Sequence, residues 1–254
     1  MRMLRRYLVL SGMVSFVLLG QTTEQAVDVP APAALNEAAL PEARADAPSY
    51  ATPALSNGTS QDRLFFTLPN FLSVENAADA PPLTAAQKFN VTARSAFDPV
   101  NFVWFGLLAG ISQAENSEPG YRQGSTGYAK RYAAYMGDGV IENLSTQAVL
   151  PALLHQDPRF FQSGRGGFGR RTRYALTRIL VTRTDSGKAQ FNYSEILGSA
   201  AASAISTYTY HPRGDRTVAN TASVWGSQVG YDALTYVIKE FWPDLRRRLN
   251  KSGK

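Results

Sequence analysis

The residues with the clearest potential for chemistry lie near the middle of the chain, between His155 and Phe161 and in the glycine-rich loop that follows. His155 and Asp157 have the types that transfer protons, and Arg159 has the type that pairs with an anion. Backbone amides of a glycine-rich loop can also hold a phosphate group. One hypothesis is therefore a hydrolase or transferase that acts on a phosphorylated or acyl substrate through His155, Asp157 and Arg159.

The same residues also have a purely structural interpretation. His155 would end the preceding helix, where a positive charge suits the helix dipole, and Asp157-Pro158 would begin the next one. The loop lacks the Lys-Ser/Thr pair of a phosphate-binding P-loop, and no Gly-x-Ser-x-Gly nucleophile motif occurs. His211 is the other histidine, and the two histidines show no paired spacing of metal ligands. We therefore predict no metal site and no cofactor.

A cluster of positive charge follows the His155 run. Eight basic residues lie between Arg159 and Lys188, against one acid, Asp185. The candidates for binding an anionic headgroup or a phosphate are Arg165, Arg170, Arg171 and Arg178. Helical spacing places positions 170, 171 and 178 on one face and position 173 elsewhere.

This basic cluster has more than one interpretation. An anionic lipid or lipopolysaccharide surface would attract it, and an envelope protein is the alternative partner. A solvated basic face without a partner is an equally good interpretation. Nucleic acid is not expected, because the chain carries no nucleic-acid-binding motif and begins with an export signal.

The export signal occupies the N-terminus. Arg2, Arg5 and Arg6 precede an uncharged, largely apolar run of fourteen residues, 7–20. This pattern is typical of a secretory signal peptide and falls short of the ~20 residues that a membrane span needs. We predict a signal peptide over 1–26, with an uncertain cleavage site. The mature protein is then periplasmic or outer-membrane-associated in a bacterial-type envelope.

Composition divides the rest of the chain. Residues 27–61 are rich in Ala and Pro and predict a disordered acidic tether, and 62–81 form an apolar arm that is expected to pack on the domain. A helical domain follows over 82–249, and 250–254 are a basic tail. The net charge is −6 from Gln21 to Asp79 and +9 from Ala80 to Lys254. The chain has no Cys, so its stability must come from a packed core.

Helix signals recur along the domain, and convincing strand patterns do not. Thr84-Ala85-Ala86-Gln87 fits a capping box, Asp98-Pro99 fits a helix start, and Asn192 precedes another helix. Residues 182–187 look like a capped turn between helices. The fold class predicted is all-α, a bundle of about five or six helices with Gly-rich connections. Its helix over 102–111 is apolar all round and is expected to be buried.

Three of these helices carry small residues four positions apart. Because Gly is costly inside a helix, such pairs suggest that helix backbones approach closely there. The pairs are Gly106 with Gly110, Gly198 with Ala202, and Gly226 with Gly230.

Taken together, these patterns favour a non-enzymatic envelope protein, a basic helical domain on an acidic tether that binds a membrane surface or a partner. The sequence leaves the substrate, the partner and the oligomeric state open.

The export signal is testable by itself. A reporter protein fused to residues 1–60 should leave the cytoplasm, because a basic segment followed by an apolar run is sufficient for recognition by the export machinery. Cell fractionation measures this, with a fusion in which Arg2, Arg5 and Arg6 are replaced by Glu as the control. A reporter found only in the cytoplasm would contradict the predicted compartment.

Overall fold

The computed structural model describes residues 59–75 and 80–252. Within these ranges 67% of the residues are helical and strand is scarce, so the described part of the chain is all-α as predicted. The predicted signal peptide, nearly all of the predicted tether and the last two residues of the basic tail lie outside the described residues.

The described part of the chain forms six continuous helical rods. In one rod a π-helical segment, Ser145–Val149, lies between α3 and α4, and the chain stays helical through all three. The helices are α1 (Ala85–Ala96), α2 (Pro99–Glu115), α3 (Gly124–Leu144), α4 (Leu150–Leu154), α5 (Phe168–Thr177), α6 (Tyr193–Thr209) and α7 (Val218–Ser252).

Short strands connect the rods. They are β1 (Arg63–Leu64), β2 (Leu68–Pro69), β3 (Ser73–Val74), β4 (Gln156–Asp157), β5 (Phe160–Phe161), β6 (Val181–Thr184) and β7 (Ala189–Phe191). β1 pairs with β2, β3 pairs in parallel with β5, and β4, β6 and β7 form an antiparallel sheet. The predicted turn between helices at 182–187 is therefore wrong: this segment is strand β6 and the hairpin turn to β7, in which Gly187 adopts a φ of 86°.

Three predicted helix starts, at Thr84, Asp98 and Asn192, are confirmed. The Thr84 hydroxyl accepts a hydrogen bond from the Gln87 amide, and the Gln87 side chain accepts one from the Thr84 amide. Asp98 caps α2 by accepting from the Val100 amide, and Asn192 caps α6 by accepting from the Glu195 amide. Each cap satisfies amides that a helix start leaves without an intrahelical acceptor.

Helix α2 is not buried as predicted. One face, with Phe105, Ala109 and Ser112, packs against α3. The opposite face carries large apolar side chains that are between 43% and 74% exposed, namely Val103, Trp104, Leu107 and Ile111. An apolar helix is buried on all sides only if neighbouring elements cover every face. Among the described residues, none covers this face of α2.

The apolar arm packs on α7. Leu64 and Phe71 are buried, and the Phe65 and Phe66 rings lie 5.2 and 5.4 Å from the Trp242 ring. The Trp242 indole donates a hydrogen bond to Asp62 over 3.0 Å. Phe71 and Leu72 also join Leu83 and Val91 in a core cluster against α1.

No helix within the described ranges has both the length and the apolar character required to cross a lipid bilayer.

Close approach of helix backbones occurs at some of the predicted glycines only. A Cβ on Gly198 would lie 3.0 Å from Thr146 Cγ2 and 3.2 Å from the Ser145 carbonyl carbon, so α6 meets the π segment there. A Cβ on Gly106 would lie 3.2 Å from the Tyr128 hydroxyl. Gly110, Gly226 and Gly230 face open space, so the predicted close approach is wrong at these three positions.

Two matched glycine substitutions test this difference. Gly198→Ala should destabilise the protein by about 1–3 kcal/mol, because the added methyl meets backbone atoms that cannot move aside. Gly230→Ala should stabilise it by roughly 0.5–1 kcal/mol, because Ala favours a helix and the site is open. Thermal and urea unfolding of both variants measure the effects. Equal shifts for the two variants would rule out a tight contact at Gly198.

Candidate functional site

A polar cleft opens where the small sheet, the π segment, α5, α6 and α7 meet. The space accessible to the centre of a water molecule is about 30 Å³, enough for about two waters, and the whole space, including the part open to solvent, is about 480 Å³. The lining residues come from seven elements and the loops between them and are mostly polar or aromatic: Thr146, Gln147, Asp157, Pro158, Arg159, Phe160, Phe161, Tyr174, Arg178, Val181, Thr182, Arg183, Asn192, Glu195 and Tyr236.

Two arginines form the positive side of the cleft. The Arg178 guanidinium lies over the Tyr174 ring at 4.7 Å, and the Arg183 guanidinium lies over the Phe161 ring at 4.4 Å. Burial lowers the pKa of Arg178, and the charge of Arg183 lowers it further. The Arg178 Nε is buried without a hydrogen-bond partner. Like charges therefore face the same space, which makes this side of the cleft attractive to anions.

Asp157 and Arg159 line the cleft, but they form an ion pair and hydrogen bonds with each other. The Arg159 Nε and Nη2 atoms donate to the two Asp157 oxygens over 2.9 and 2.6 Å, and both side chains are buried. Arg159 also donates to the Pro81 carbonyl over 2.8 Å. Asp157 belongs to strand β4, so the helix start that the sequence suggested at Asp157-Pro158 does not form. The pair fixes the β4–β5 connection.

Glu195 lines the other side of the cleft, and two more carboxyl groups, Glu142 and Asp232, interact with it. Burial, followed by the negative charge of Asp232, raises the pKa of Glu195 well above its usual value, and the same two causes raise the pKa of Glu142. Burial also raises the pKa of Asp232, whereas hydrogen bonds with Glu142 and Glu195 lower it. Burial and mutual repulsion therefore favour the protonated form of both glutamic acids.

Lys239 and Tyr236 are the other titratable side chains that interact with the carboxyl groups. Burial lowers the pKa of Lys239, against the opposing charges of Asp232 and Glu195. Burial also raises the pKa of Tyr236, and the three carboxyl groups raise it further, whereas the charge of Arg178 lowers it. Tyr236 therefore lies between the acidic and the basic side, and its ring stacks on Phe160 at 5.0 Å.

The π segment positions this site. Thr146 and Gln147 of the segment reach the cleft, and Glu142 lies one turn before them. Gly198 allows α6 to approach the segment, which places Glu195, one turn earlier on α6, beside Glu142. The Trp225 indole of α7 donates to the Ser199 hydroxyl over 3.0 Å and joins α7 to the same place. π segments often occur at functional sites.

His155 does not reach the cleft. It ends α4 in the left-handed conformation, with a φ of 52°, and its amide donates to the Pro151 carbonyl. Its side chain is 84% exposed, and its Nδ1 atom lies 3.9 Å from Asp185. The position agrees with the structural interpretation of His155 as a helix-ending residue, and it separates His155 from Asp157 and Arg159.

His211 belongs to a different buried network. Its Nε2 atom lies 3.4 Å from Asp138 and its Nδ1 atom 3.8 Å from Glu118. Burial lowers the pKa of His211, but the hydrogen bond with Asp138 and the charges of Asp138 and Glu118 raise it more. The Tyr210 hydroxyl also donates to Asp138 over 2.5 Å. This network ties the end of α6 to α3, and within the described residues no group of three or more His, Cys, Asp or Glu is placed to hold a metal ion.

The four predicted anion-binding arginines lie in different surroundings. Arg165 and Arg170 are exposed. Arg171 is buried, where it donates to Glu240 over 2.8 Å and pairs with Asp244. Arg178 faces the cleft. Arg173, which the helical spacing placed away from the binding face, points outward with Arg170.

Sequence reasoning did not find the carboxyl groups or Arg183 as site residues. Arg183 counted only toward the basic cluster, and Glu195 only as part of a capping pattern. A usable signal was present for Asp232: it is the first charged residue after a fifteen-residue uncharged run, 217–231, that predicts a helix. A lone acid in such a helix is costly to bury without a partner.

Comparison with known proteins gives no match: no family model, no curated protein and no solved structure resembles the chain.

The carboxyl cluster should make the stability of the protein depend on pH. A raised pKa in the folded state means that the folded protein holds protons that the unfolded chain releases, so stability is full at acidic pH and falls as pH rises toward the folded pKa. Each extra proton contributes a slope of at most about 1.4 kcal/mol per pH unit. Glu142→Gln, which keeps a hydrogen-bond donor for Asp232, should flatten the fall above pH 5 that wild type shows.

Urea unfolding between acidic and mildly alkaline pH measures this slope. Glu115→Gln is the matched control, since Glu115 is exposed at the end of α2, and it should follow wild type. If Glu142→Gln keeps the full slope, the three carboxyl groups do not share protons.

Proposed function

We propose that the chain is a non-enzymatic, exported envelope protein whose helical domain binds an anionic membrane surface, of lipid or lipopolysaccharide, from the periplasm. The proposal is supported chiefly by one observation. Large apolar side chains and basic side chains are exposed together around α5 and the β6–β7 hairpin. Apolar contact combined with positive charge is the pattern of proteins that lie at a bilayer surface.

The apolar part, which we name the outer patch, gathers around one junction. The Asn192 amide donates to the Leu180 carbonyl over 2.9 Å, and the rings of its two neighbours, Phe191 and Tyr193, lie 5.0 Å apart. Leu176 lies about one turn before Leu180, and Leu197 one turn after Tyr193. Each member of the outer patch is between 43% and 54% exposed: Leu176, Leu180, Phe191, Tyr193 and Leu197. Exposed apolar clusters of this kind mark binding surfaces.

Basic side chains border the outer patch. Arg170 and Arg173 lie on the outward face of α5, and Lys188 lies in the hairpin turn, all three exposed. Each base near an anionic bilayer contributes about 1 kcal/mol of attraction. Of the arginines predicted from the sequence, Arg170 fits this surface and Arg171 does not, because its guanidinium is bound to Glu240 and Asp244.

The enzymatic alternative, a hydrolase or transferase at His155, Asp157 and Arg159, has less support. It requires the three side chains to converge on one substrate. His155 lies on the surface at the end of α4, and Asp157 and Arg159 use their polar atoms on each other.

A second candidate partner, an envelope protein, is favoured by the exposed stripe on α2. Val103, Trp104, Leu107 and Ile111 form it over several turns, and no charged residue occurs between Pro99 and Ala114. An apolar surface without bases suits a protein partner better than an anionic membrane.

Vesicle sedimentation tests the proposal. The purified protein should sediment with vesicles that contain phosphatidylglycerol and not with pure phosphatidylcholine vesicles, and high salt should release it. Arg170→Gln with Arg173→Gln should weaken binding roughly 30-fold, from about 2 kcal/mol of lost attraction. Leu180→Ser with Phe191→Ser should also weaken it, because apolar area no longer enters the interface.

The controls separate the two surfaces. Arg122→Gln with Lys130→Gln removes two exposed bases elsewhere and should leave binding unchanged, as should Leu107→Ser on α2. Absence of binding to anionic vesicles at low salt would refute the proposal. Loss of binding in Leu107→Ser alone would move the membrane contact to α2.

A further inference from the structure

We propose that the cleft binds a phosphate group between Arg178 and Arg183. This inference concerns the interior side of α5 and β6 and does not depend on membrane binding by the outer patch.

The two guanidinium groups share one cleft, and no ion pair is seen for either of them within the described ranges. Arg159 is paired with Asp157, and Arg171 with Glu240 and Asp244. Among the residues that the structure describes, no carboxylate forms an ion pair with Arg178 or Arg183. Arg178 makes only a long hydrogen bond, 3.4 Å, to the Thr177 hydroxyl, while its Nε atom is buried without an acceptor.

A partly buried charge without a counter-ion is unfavourable, and a second positive charge beside it adds repulsion. Arg131 demonstrates how this chain otherwise satisfies a buried guanidinium: carbonyl oxygens of Arg122 and Glu118 accept its hydrogen bonds over 2.6 and 2.8 Å. In the part of the chain that the structure describes, no carbonyl oxygen accepts a hydrogen bond from the Arg178 guanidinium in this way. An anion with several oxygens would supply the missing acceptors and balance both charges.

The two side chains are held in position for such a ligand. Aromatic rings support both guanidinium planes, Tyr174 under Arg178 and Phe161 under Arg183. The Tyr174 hydroxyl donates to the Phe161 carbonyl over 2.6 Å, and this bond holds the Tyr174 ring beside Phe161. Stacking occupies the faces of a guanidinium and leaves its N–H edge for hydrogen bonds.

Phosphate is the anion that fits best. Its tetrahedral oxygens can accept from two guanidinium groups at once, and its charge matches two arginines. The closed part of the cleft admits only small groups, and its mouth is open to solvent. A free phosphate ion can enter whole, and the phosphate of a lipid headgroup can enter from the mouth. The chemistry at Arg178 and Arg183 is the same for both sources.

Thermal unfolding of the full chain in phosphate-free buffer, with and without inorganic phosphate, tests the site. Phosphate should raise the melting temperature of wild type at constant ionic strength, since a ligand that binds only the folded state stabilises it. Arg183→Gln and Arg178→Gln should each weaken the phosphate affinity, measured by calorimetry, at least tenfold. Without phosphate, either variant should melt at or above the wild-type temperature, because the repulsion is removed.

The melting temperature without phosphate distinguishes a folding defect from a binding defect. Arg122→Gln, at an exposed arginine outside both surfaces, is the matched control and should bind phosphate as wild type does. A short-chain phosphatidic acid below its micelle concentration tests the other source: binding by it and not by inorganic phosphate, with the same two arginines required, assigns the site to a lipid phosphate.

The proposal fails if neither phosphate nor the lipid stabilises wild type. It also fails if Arg178→Gln and Arg183→Gln bind as wild type does. Vesicle binding through the outer patch can succeed or fail independently, because its test changes Arg170 and Arg173.

Discussion

The approach of α6 to the π segment at Gly198 is the contact on which the centre of this domain depends. Any larger residue would push α6 away from Ser145 and Thr146, since a Cβ there would already lie 3.0–3.2 Å from their atoms. The approach places Glu195 beside Glu142, and α7 then brings Asp232 to the same point. Thr146 and Gln147 of the π segment line the cleft, while Glu142, one turn earlier, belongs to the carboxyl cluster.

This centre is unusually polar for a bundle of small-residue helices. α6 buries Ser199, Ser203, Ser206 and Thr207, and the first two hydroxyls donate to carbonyls one turn back on the same helix. The Ser203 hydroxyl also lies 2.5 Å from the Gln228 side-chain oxygen of α7. Ser206 donates to Asp138 of α3, whereas the Thr207 hydroxyl is buried with no hydrogen-bond partner among the described residues. Hydroxyls that bond to their own helix, as those of Ser199 and Ser203 do, let helices pack closely at little polar cost. Large apolar residues are correspondingly displaced to the outside of the bundle, on α2 and in the outer patch.

The α5–β6 segment separates two surfaces that the sequence merges into one basic cluster. Its outward side presents Arg170 and Arg173 beside Leu176 and Leu180, and its inward side presents Arg178 and Arg183 to the cleft. Arg171 serves neither surface, because Glu240 holds it against α7. The same kind of side chain thus has three physical roles: exposed charge, buried ion pair and cation without a partner.

The sequence by itself determined three helix starts, although the similar pair Asp157-Pro158 lies at the end of a strand. Thr84, Asp98 and Asn192 form caps because a side chain satisfies amides only two or three residues away, so the information is local. His155 as a helix end follows from the same range of residues. The predominance of helix over strand, and the lack of a histidine pair with metal-ligand spacing, are likewise readable from short windows.

Only the tertiary structure decided which distant side chains meet. Glu142, Glu195 and Asp232 lie on three helices and converge because Gly198 has no side chain, whereas the equally spaced Gly226 and Gly230 face open space. A helical wheel placed Arg170, Arg171 and Arg178 on one face, but α7 covers part of that face and supplies Glu240. Helix periodicity states which residues share a side of a helix. Whether that side meets solvent, an acid or another arginine depends on how the helices dock, which no local window contains.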